Sequence, residues 1–228
     1  MVGRKSGVAA KCYTCSEEGI TKEHVAPRAF FPIGYRNNFW TVPSCPKHNT
    51  SNAQDVEYMA ACIINAIEST GIALEESQKK TFRVVNRSKG FMLGTFDDVR
   101  PIRLPTGEIT ATFKVDLSRF ESIMEAIAYG IYYRSTGQTY SDHWKVTTTN
   151  LSSVETSHHG QSDTRTPLFD ALSQMSFDKI ETPEPDVFKC NSHTFPDGTF
   201  AYKFEFYNGF IVYVIDSFIY GVITKGRL

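Results

Sequence analysis

The sequence predicts an α+β protein with a small N-terminal head, residues 1–75, and an α+β body, residues 76–228, built on a mainly antiparallel sheet. Three observations carry this expectation. Two short half-sites, Cys12-x-x-Cys15 and Cys45-x-x-His48, lie in the first fifty residues. A helical apolar stripe follows them directly. Near the C-terminus, aromatic residues alternate on both sides of an Asn-Gly pair, the pattern of a β-hairpin.

The chain has 228 residues, which allows one large domain or two small ones. That length buries enough apolar surface to fold without disulfides. Hydrophobic residues make up 41% and charged residues 21%, which excludes a disordered tail or a fibre. The formal net charge of -1 excludes a protein that is basic throughout. The charge is unevenly spread, however. Residues 1–50 hold Arg4, Lys5, Lys11, Lys22, Arg28, Arg36 and Lys47 against Glu17, Glu18 and Glu23, a net of +4, so the rest carries −5. A basic head on an acidic body points to a polyanionic partner. The N-terminus has no apolar region long enough for a signal peptide. The longest apolar stretch, FIVYVIDSFIYGVI, is broken by Asp216 and falls short of the ~20 residues of a membrane span. A cytoplasmic protein with no membrane partner is expected. The five cysteines are odd in number, and the C-x-x-C spacing points to metal or redox chemistry in a reducing compartment.

In chain order, the first long helix is expected from about Asn52 to Thr70. Val56, Met59, Ala60, Ile63, Ile64 and Ile67 form one apolar stripe, Ser51 or Asn52 can cap it, and Gly71 can end it. Strands are expected at Phe82–Val85, Phe91–Leu93 and Ile109–Val115. Ser118-Arg119-Phe120-Glu121 has the spacing of a capping box. It opens a helix whose Phe120, Ile123, Ile127 and Ile131 face one way until Gly137. Residues 150–199 are rich in Ser, Thr, Pro, Asp and His and read mainly as loops. The final hairpin joins Tyr202, Phe204 and Phe206 to Phe210, Val212 and Val214 through a type I′ turn at Asn208-Gly209.

Cys12, Cys15, Cys45 and His48 have the types and spacing of a structural zinc site. Zinc takes thiolate and imidazole in a tetrahedron, and four protein ligands leave no open position. Such a staple would hold a region with little core of its own, and its removal should unfold that region. Coincidence, or a redox pair at Cys12/Cys15, is the competing reading; the pair has no βαβ unit around it.

Between the half-sites stands Glu23-His24-Val25-Ala26-Pro27, and Asn49 directly follows His48. The ordered set C-x-x-C, E-H-V-x-P, C-x-x-H-N resembles the HNH endonucleases, the ββα-metal or His-Me finger family. It is most similar to the zinc-stapled type that includes the phage Holliday-junction resolvase. The resemblance covers about residues 10–70 and implies a zinc-stabilised ββα-metal finger in the head. It implies that Glu23 and His24 end the first strand of a hairpin, with His24 as general base and Glu23 on the catalytic cation. Asn49 matches the metal-binding residue at the start of the helix. Phe39-Trp40-Thr41-Val42 would be the second strand, and the loop between would hold Arg28, Arg36, Asn37 and Asn38. Asn38 or Asn37 would be the middle Asn that positions the His. Two departures stand out. Glu23 replaces the more usual Asp, and Glu57 and Tyr58 stand where some members place a further His.

These residue types suit phosphodiester hydrolysis. A hard divalent cation, Mg²⁺ or Mn²⁺, held by a carboxylate and an amide oxygen keeps sites free for phosphate oxygens and water. A His titrating near neutrality can take a proton from that water. Asn52 lies one helical turn after Asn49 and is a candidate for metal or phosphate binding. Arg28, Arg36 and Lys47 are candidates for phosphate binding, and each equally reads as an ordinary exposed charge.

Other features read more plainly. Cys190-x-x-His193 repeats the half-site spacing without a second half-site. Cys62 reads as a core residue, His158-His159 as solvated, and the aromatic strands near 200–220 as core rather than a base-stacking platform. The expected function is metal-dependent endonucleolysis, with DNA as substrate. The body would serve substrate choice, homodimerisation or docking to a regulatory partner, as in a restriction or phage-defence effector. The alternative is a zinc-binding module that docks on nucleic acid or protein without cutting.

Overall fold

A computed structural model describes residues 10–50, 53–64, 66, 71–73, 75, 97–103, 107, 109–148 and 165–224. The strands expected at 82–85 and 91–93, Asn52, and the His158-His159 pair lie outside the described residues.

The head begins with a tight knuckle. Lys11 and Glu18 form an isolated antiparallel bridge. The Cys12 N–H donates to the Glu17 carbonyl and the Gly19 N–H to the Ala10 carbonyl, each at 2.8 Å. Gly19 is needed for close approach, because a Cβ there would lie 2.6 Å from the Pro43 Cβ. Strand β1 (Thr21–His24) then pairs antiparallel with β2 (Thr41–Ser44), with Glu23 opposite Val42 and His24 opposite Thr41. The second strand therefore starts two residues later than the expected Phe39. Asn38, at φ 53°, turns the chain in the left-handed region that Asn tolerates. Phe39 and Trp40 are then used for packing, although the Trp40 carbonyl still accepts from the Val25 N–H at 3.0 Å.

A short helix α1 (Pro46–Thr50) and a longer α2 (Ala53–Ile64) follow. The expected helix to Thr70 is thus too long. Among the described residues α2 ends at Ile64, and the Ala66 N–H bonds back to the Ile63 carbonyl in a tighter turn. Pro46 starts α1 where a missing N–H costs nothing. Tyr58, Met59, Ala60, Cys62, Ile63 and Ile64 are all buried, a wider face than one stripe. Burial raises the Cys62 thiol to about 12, so it behaves as an inert core group.

Strands β3 (Asp97–Arg103) and β4 (Ile109–Lys114) form a separate antiparallel pair. β3 escapes sequence reading because Asp97-Asp98 and Pro101 look like loop. Its register is broken at Asp98, where φ is 52° and the carboxylate grips Arg100 at 2.8 Å. Helix α3 (Leu117–Thr136) is capped by Asp116 rather than Ser118. The Asp116 side chain accepts from the Ser118 and Arg119 N–H groups at 3.0 and 3.3 Å, and the Ser118 hydroxyl also donates to it. Gly137, at φ 72°, ends the helix, and Phe120, Ile123, Ile127 and Ile131 are buried as expected.

The body carries a five-stranded antiparallel sheet in the order β5-β9-β8-β7-β6. Its members are β5 (Trp144–Thr147), β6 (Asp178–Ile180), β7 (Phe188–Thr194), β8 (Phe200–Phe206) and β9 (Phe210–Asp216). Helix α4 (Arg165–Ser173) and strands β6 and β7 lie within 150–199, so the described part of that stretch, 165–199, is not mainly loop. Lys189, Asn191 and His193 occupy one face of β7, while Phe188 and Cys190 at the start of the alternate face are buried. Period-two alternation gives the sheet two faces. Tyr202, Phe204, Phe206, Phe210, Val212 and Val214 join the large core with α3, whereas Ala201, Tyr213 and Ile215 pack with Leu168 and Leu172 of α4 and Ile219 of α5 (Ser217–Thr224). The hairpin turn is offset by one residue from expectation. Tyr207 and Asn208, at φ 51° and 58°, take the left-handed positions, and the Gly209 N–H closes on the Phe206 carbonyl.

Head and body residues share one buried core. Phe30 stands edge-on to Phe206 at 5.5 Å, and the buried Tyr207 hydroxyl donates to the Phe30 carbonyl. The Arg119 guanidinium lies 4.0 Å over the Tyr58 ring and bonds Asp55 at 2.6 Å, tying α3 to α2. Among the described residues no helix is long and apolar enough to cross a membrane.

Asp216 ends β9, 1% exposed. It accepts from the Tyr140 hydroxyl and from the Phe218 and Ile219 N–H groups, the latter two at 2.7 and 3.4 Å. Asp216→Ala strands these donors and is expected to cost about 2–4 kcal/mol in urea unfolding, with Tyr140→Phe costing less. Equal stability of wild type and Asp216→Ala would contradict this role.

Candidate functional site

Three segments of the head bring four ligand atoms together. The knuckle supplies Cys12 and Cys15, the end of β2 leads into Cys45, and the first turn of α1 presents His48. The His48 and Asn49 N–H groups both bond the Cys45 carbonyl at 3.1 Å, and the Tyr13 N–H bonds the Pro43 carbonyl at 2.9 Å, so knuckle and strand are locked in register. The His48 Nδ1 lies 3.5 Å from the Cys12 and Cys15 sulfurs and 3.2 Å from that of Cys45. The Cys15 and Cys45 sulfurs are 4.0 Å apart, and all four ligand atoms lie within 4.8 Å of one another. Edges of about 3.5–4 Å are those of a tetrahedron with metal–ligand bonds of about 2.0–2.3 Å. The group can therefore hold one metal ion, and all its cysteines are free of disulfides.

The Cys12 thiol already leans toward the ligand state. Burial disfavours the Cys12 thiolate, yet hydrogen bonds from Thr14, from the backbone and from His48 outweigh it and lower the thiol from 9.0 to about 6. Burial first, and then the Cys12 charge, push Cys15 up to about 11. Without a cation the cluster holds protons, which a metal ion must displace.

Asn49 stands one residue beyond His48, and next to the cluster opens a cleft of about 270 Å³. Glu23, His24, Arg28, His48 and Asn49 line one side, and Tyr13 also lines it. Among the described residues the side chains of His24, Arg28 and Asn49 take no hydrogen bond or ion pair, and Glu23 makes no ion pair and is held only by the His24 backbone. Burial raises the Glu23 carboxyl from 4.5 to about 7, against a hydrogen bond from the His24 backbone. Burial, and then the Arg28 charge, lower His24 from 6.5, leaving the imidazole mainly neutral at pH 7. The Phe39 ring stands edge-on to the His24 ring at 5.1 Å and is itself held by Phe31 at 4.9 Å, which fixes the imidazole.

The remaining candidates are distributed differently. Arg36 Nε donates to the Phe31 carbonyl at 2.8 Å, so it braces the loop. Lys47 is exposed on α1, outside the cleft lining. The Asn37 N–H donates to Glu184 at 3.3 Å, and Asn38 makes the left-handed turn into Phe39. Cys190 and His193 stand on opposite faces of β7, because residues three apart in a strand alternate, and His193 bonds the Ser176 carbonyl at 2.8 Å. They form no half-site. Sequence reading did not point to Phe39 as a support for His24, nor to the apolar side of the cleft. That side is formed by Ala53 and Val56 of α2 and Ile123, Ala126 and Ile127 of α3. Phe39 lay within the expected second strand and was legible as a neighbour of His24; the α3 residues carry no local signal.

No protein-family model, curated protein or solved structure matches the chain.

Cys45→Ser is expected to lower metal content from about one ion per chain to near none and the melting temperature by about 10 °C or more. Elemental analysis alongside thermal unfolding checks this. A variant that retains both metal and stability would contradict a structural staple at these four residues.

Proposed function

We propose that the protein is a metal-dependent phosphodiester endonuclease acting on DNA, of the HNH type, with its head folded around a structural zinc ion at Cys12, Cys15, Cys45 and His48. The observation that carries this reading is the convergence, in one cleft, of a carboxylate without an ion pair, a neutral imidazole, an amide and a guanidinium, the last three uncommitted among the described residues. The donor set suits a hard cation. The Glu23 carboxylate is half-buried without an ion pair among the described residues, and a cation would offset the burial that raises its pKa. Glu23 and the Asn49 amide oxygen would hold Mg²⁺ or Mn²⁺, whose chemistry when bound is charge neutralisation at the scissile phosphate and the departing 3′ oxygen.

The residues of the chain do the rest. Neutral His24 takes a proton from the attacking water. Phe39 holds the ring in one orientation. Arg28, exposed at the cleft, offers a guanidinium to a phosphate oxygen and raises the population of the neutral base. The positive head steers the polyanion toward the cleft, and salt weakens that attraction.

Plasmid nicking with Mg²⁺ or Mn²⁺ is expected for the wild type, and His24→Ala is expected to lower the rate by about 10²–10⁴-fold. If both proteins are equally inert on plasmid, linear, single-stranded and branched DNA, the hydrolytic reading fails and a docking module remains. The pH profile follows from the sign of the His24 shift. A base must be unprotonated, so the rate should rise with pH through a midpoint below the 6.5 of an ordinary histidine. Arg28→Ala removes a positive neighbour, raises the His24 pKa, and should move that rising limb to higher pH. An unmoved limb would show that His24 is not the titrating base.

A further inference from the structure

The nuclease residues occupy only part of the cleft surface. Apart from the exposed Glu57 of α2, the wall beyond them is apolar and comes from two helices: Ala53 and Val56 of α2, and Ala126 of α3 backed by the buried Ile123 and Ile127. Ala53 is exposed, and Val56 and Ala126 are half-exposed, so this wall has accessible surface. Small side chains leave room for a flat ring, and the Ile residues behind them keep the surface dry. The wall is rigid where it matters. Arg119 fastens α3 to Asp55 and to the Gln54 carbonyl of α2, and the Asp116 N–H donates to the Tyr58 hydroxyl at 2.9 Å.

Tyr13 supplies a second, independent observation. Its side chain is 3% exposed, lines the same cleft, and its hydroxyl takes no hydrogen bond among the described residues. That hydroxyl is free to bond a polar group in the cleft. The cleft thus offers an anion-binding and hydrolytic side, a nearby hydroxyl, and an apolar wall. A phosphate joined through a sugar to a base has the same three chemistries. At about 270 Å³ the cavity lies near the lower end of ligand pockets, about 300–1,000 Å³, which suits one nucleotide rather than a duplex groove. A base reaches such a wall only when it has left its stack.

We propose that the cleft takes one unstacked nucleotide of a single-stranded or locally unpaired substrate, with its phosphate at Glu23, His24, Arg28 and Asn49 and its base against Ala53, Val56 and Ala126. This rests on the nuclease reading and adds the substrate class to it. The wall accepts any base by its apolar face, so sequence preference is weak. Paired, fully stacked DNA presents its phosphate but leaves the wall uncovered.

The test uses the full-length, metal-loaded chain with an oligodeoxynucleotide carrying one 2-aminopurine, either single-stranded or in a matched duplex. Binding is read by the fluorescence of that base and cleavage by product length with Mg²⁺. The expected result is single-strand cleavage faster than duplex cleavage by about tenfold or more, and a fluorescence change on single-strand binding in both wild type and His24→Ala. Ala126→Leu narrows the cleft and should reduce single-strand binding and cleavage by about tenfold, with metal content and melting temperature retained. Ala53→Leu, at the exposed start of α2, serves the same purpose if Ala126→Leu does not fold. The proposal is overturned if duplex is cut as fast as single strand, or if the folded cleft variants behave as wild type. His24-dependent cleavage of duplex as fast as single strand would leave the nuclease reading standing while sinking this one. Base-specific binding without cleavage by any variant would do the reverse.

Discussion

The four-ligand cluster is the constraint on which the head depends. Between Ala10 and Thr50 the chain has two strands of four residues, two single-turn 3₁₀ segments and one five-residue helix. None of these is stable alone; helices this short are marginal in water and isolated hairpins barely hold. Cys12, Cys15, Cys45 and His48 tie the knuckle, the end of β2 and the start of α1 to one point. Asn49 follows the last ligand directly, and Glu23 is paired across from Val42 on the strand leading to Cys45. The position of the cleft's polar groups is therefore tied to the cluster through neighbouring residues and one strand pairing. This explains how a loop-rich segment can hold polar groups whose side chains make few hydrogen bonds of their own among the described residues.

The body completes the cleft rather than merely carrying the head. Val25, directly after His24, packs against Gly130 of α3, where an added Cβ would lie 3.4 Å from its methyl groups. Arg134, one helical turn on, lies 4.5 Å over the Trp40 ring beside the hairpin. At the end of that helix region, Thr139 donates to the Cys12 carbonyl. Helix α3 thus touches the hairpin, the knuckle and α2, and its far face lies on the five-stranded sheet. Through Phe30, Phe206 and Tyr207 the sheet reaches the loop after His24. The burial that raises Glu23 and lowers His24 depends on this assembly.

Periodic and local signals were legible in the sequence. The β8–β9 aromatics, the Gly137 stop of α3 and the apolar stripe of α2 were expected because each is set by residues within a few positions. The cap of α3 was misplaced because Asp116 and Ser118 both suit the role, and only geometry chooses between them. The length of the first helix was overestimated because an apolar stripe does not mark where tertiary packing ends. β3 and β7 were missed because open faces and irregular register permit Asp, Pro, Ser and His inside strands. At the site, the half-sites and Glu23-His24 were visible as spacing. The meeting of Ala126 with Val56 was not, because it joins positions far apart in sequence through packing alone. The same reason hides the role of Phe39: a ring beside an imidazole has no fixed spacing.

The most direct test of this account is a crystal of the zinc-loaded protein grown with Mn²⁺, with anomalous scattering collected at the zinc and manganese edges. The account predicts zinc among the three sulfurs and the His48 imidazole, and a separate manganese ion bound by the Glu23 carboxylate and the Asn49 amide oxygen. Manganese elsewhere, or Glu23 and Asn49 bound to no common ion, would contradict it.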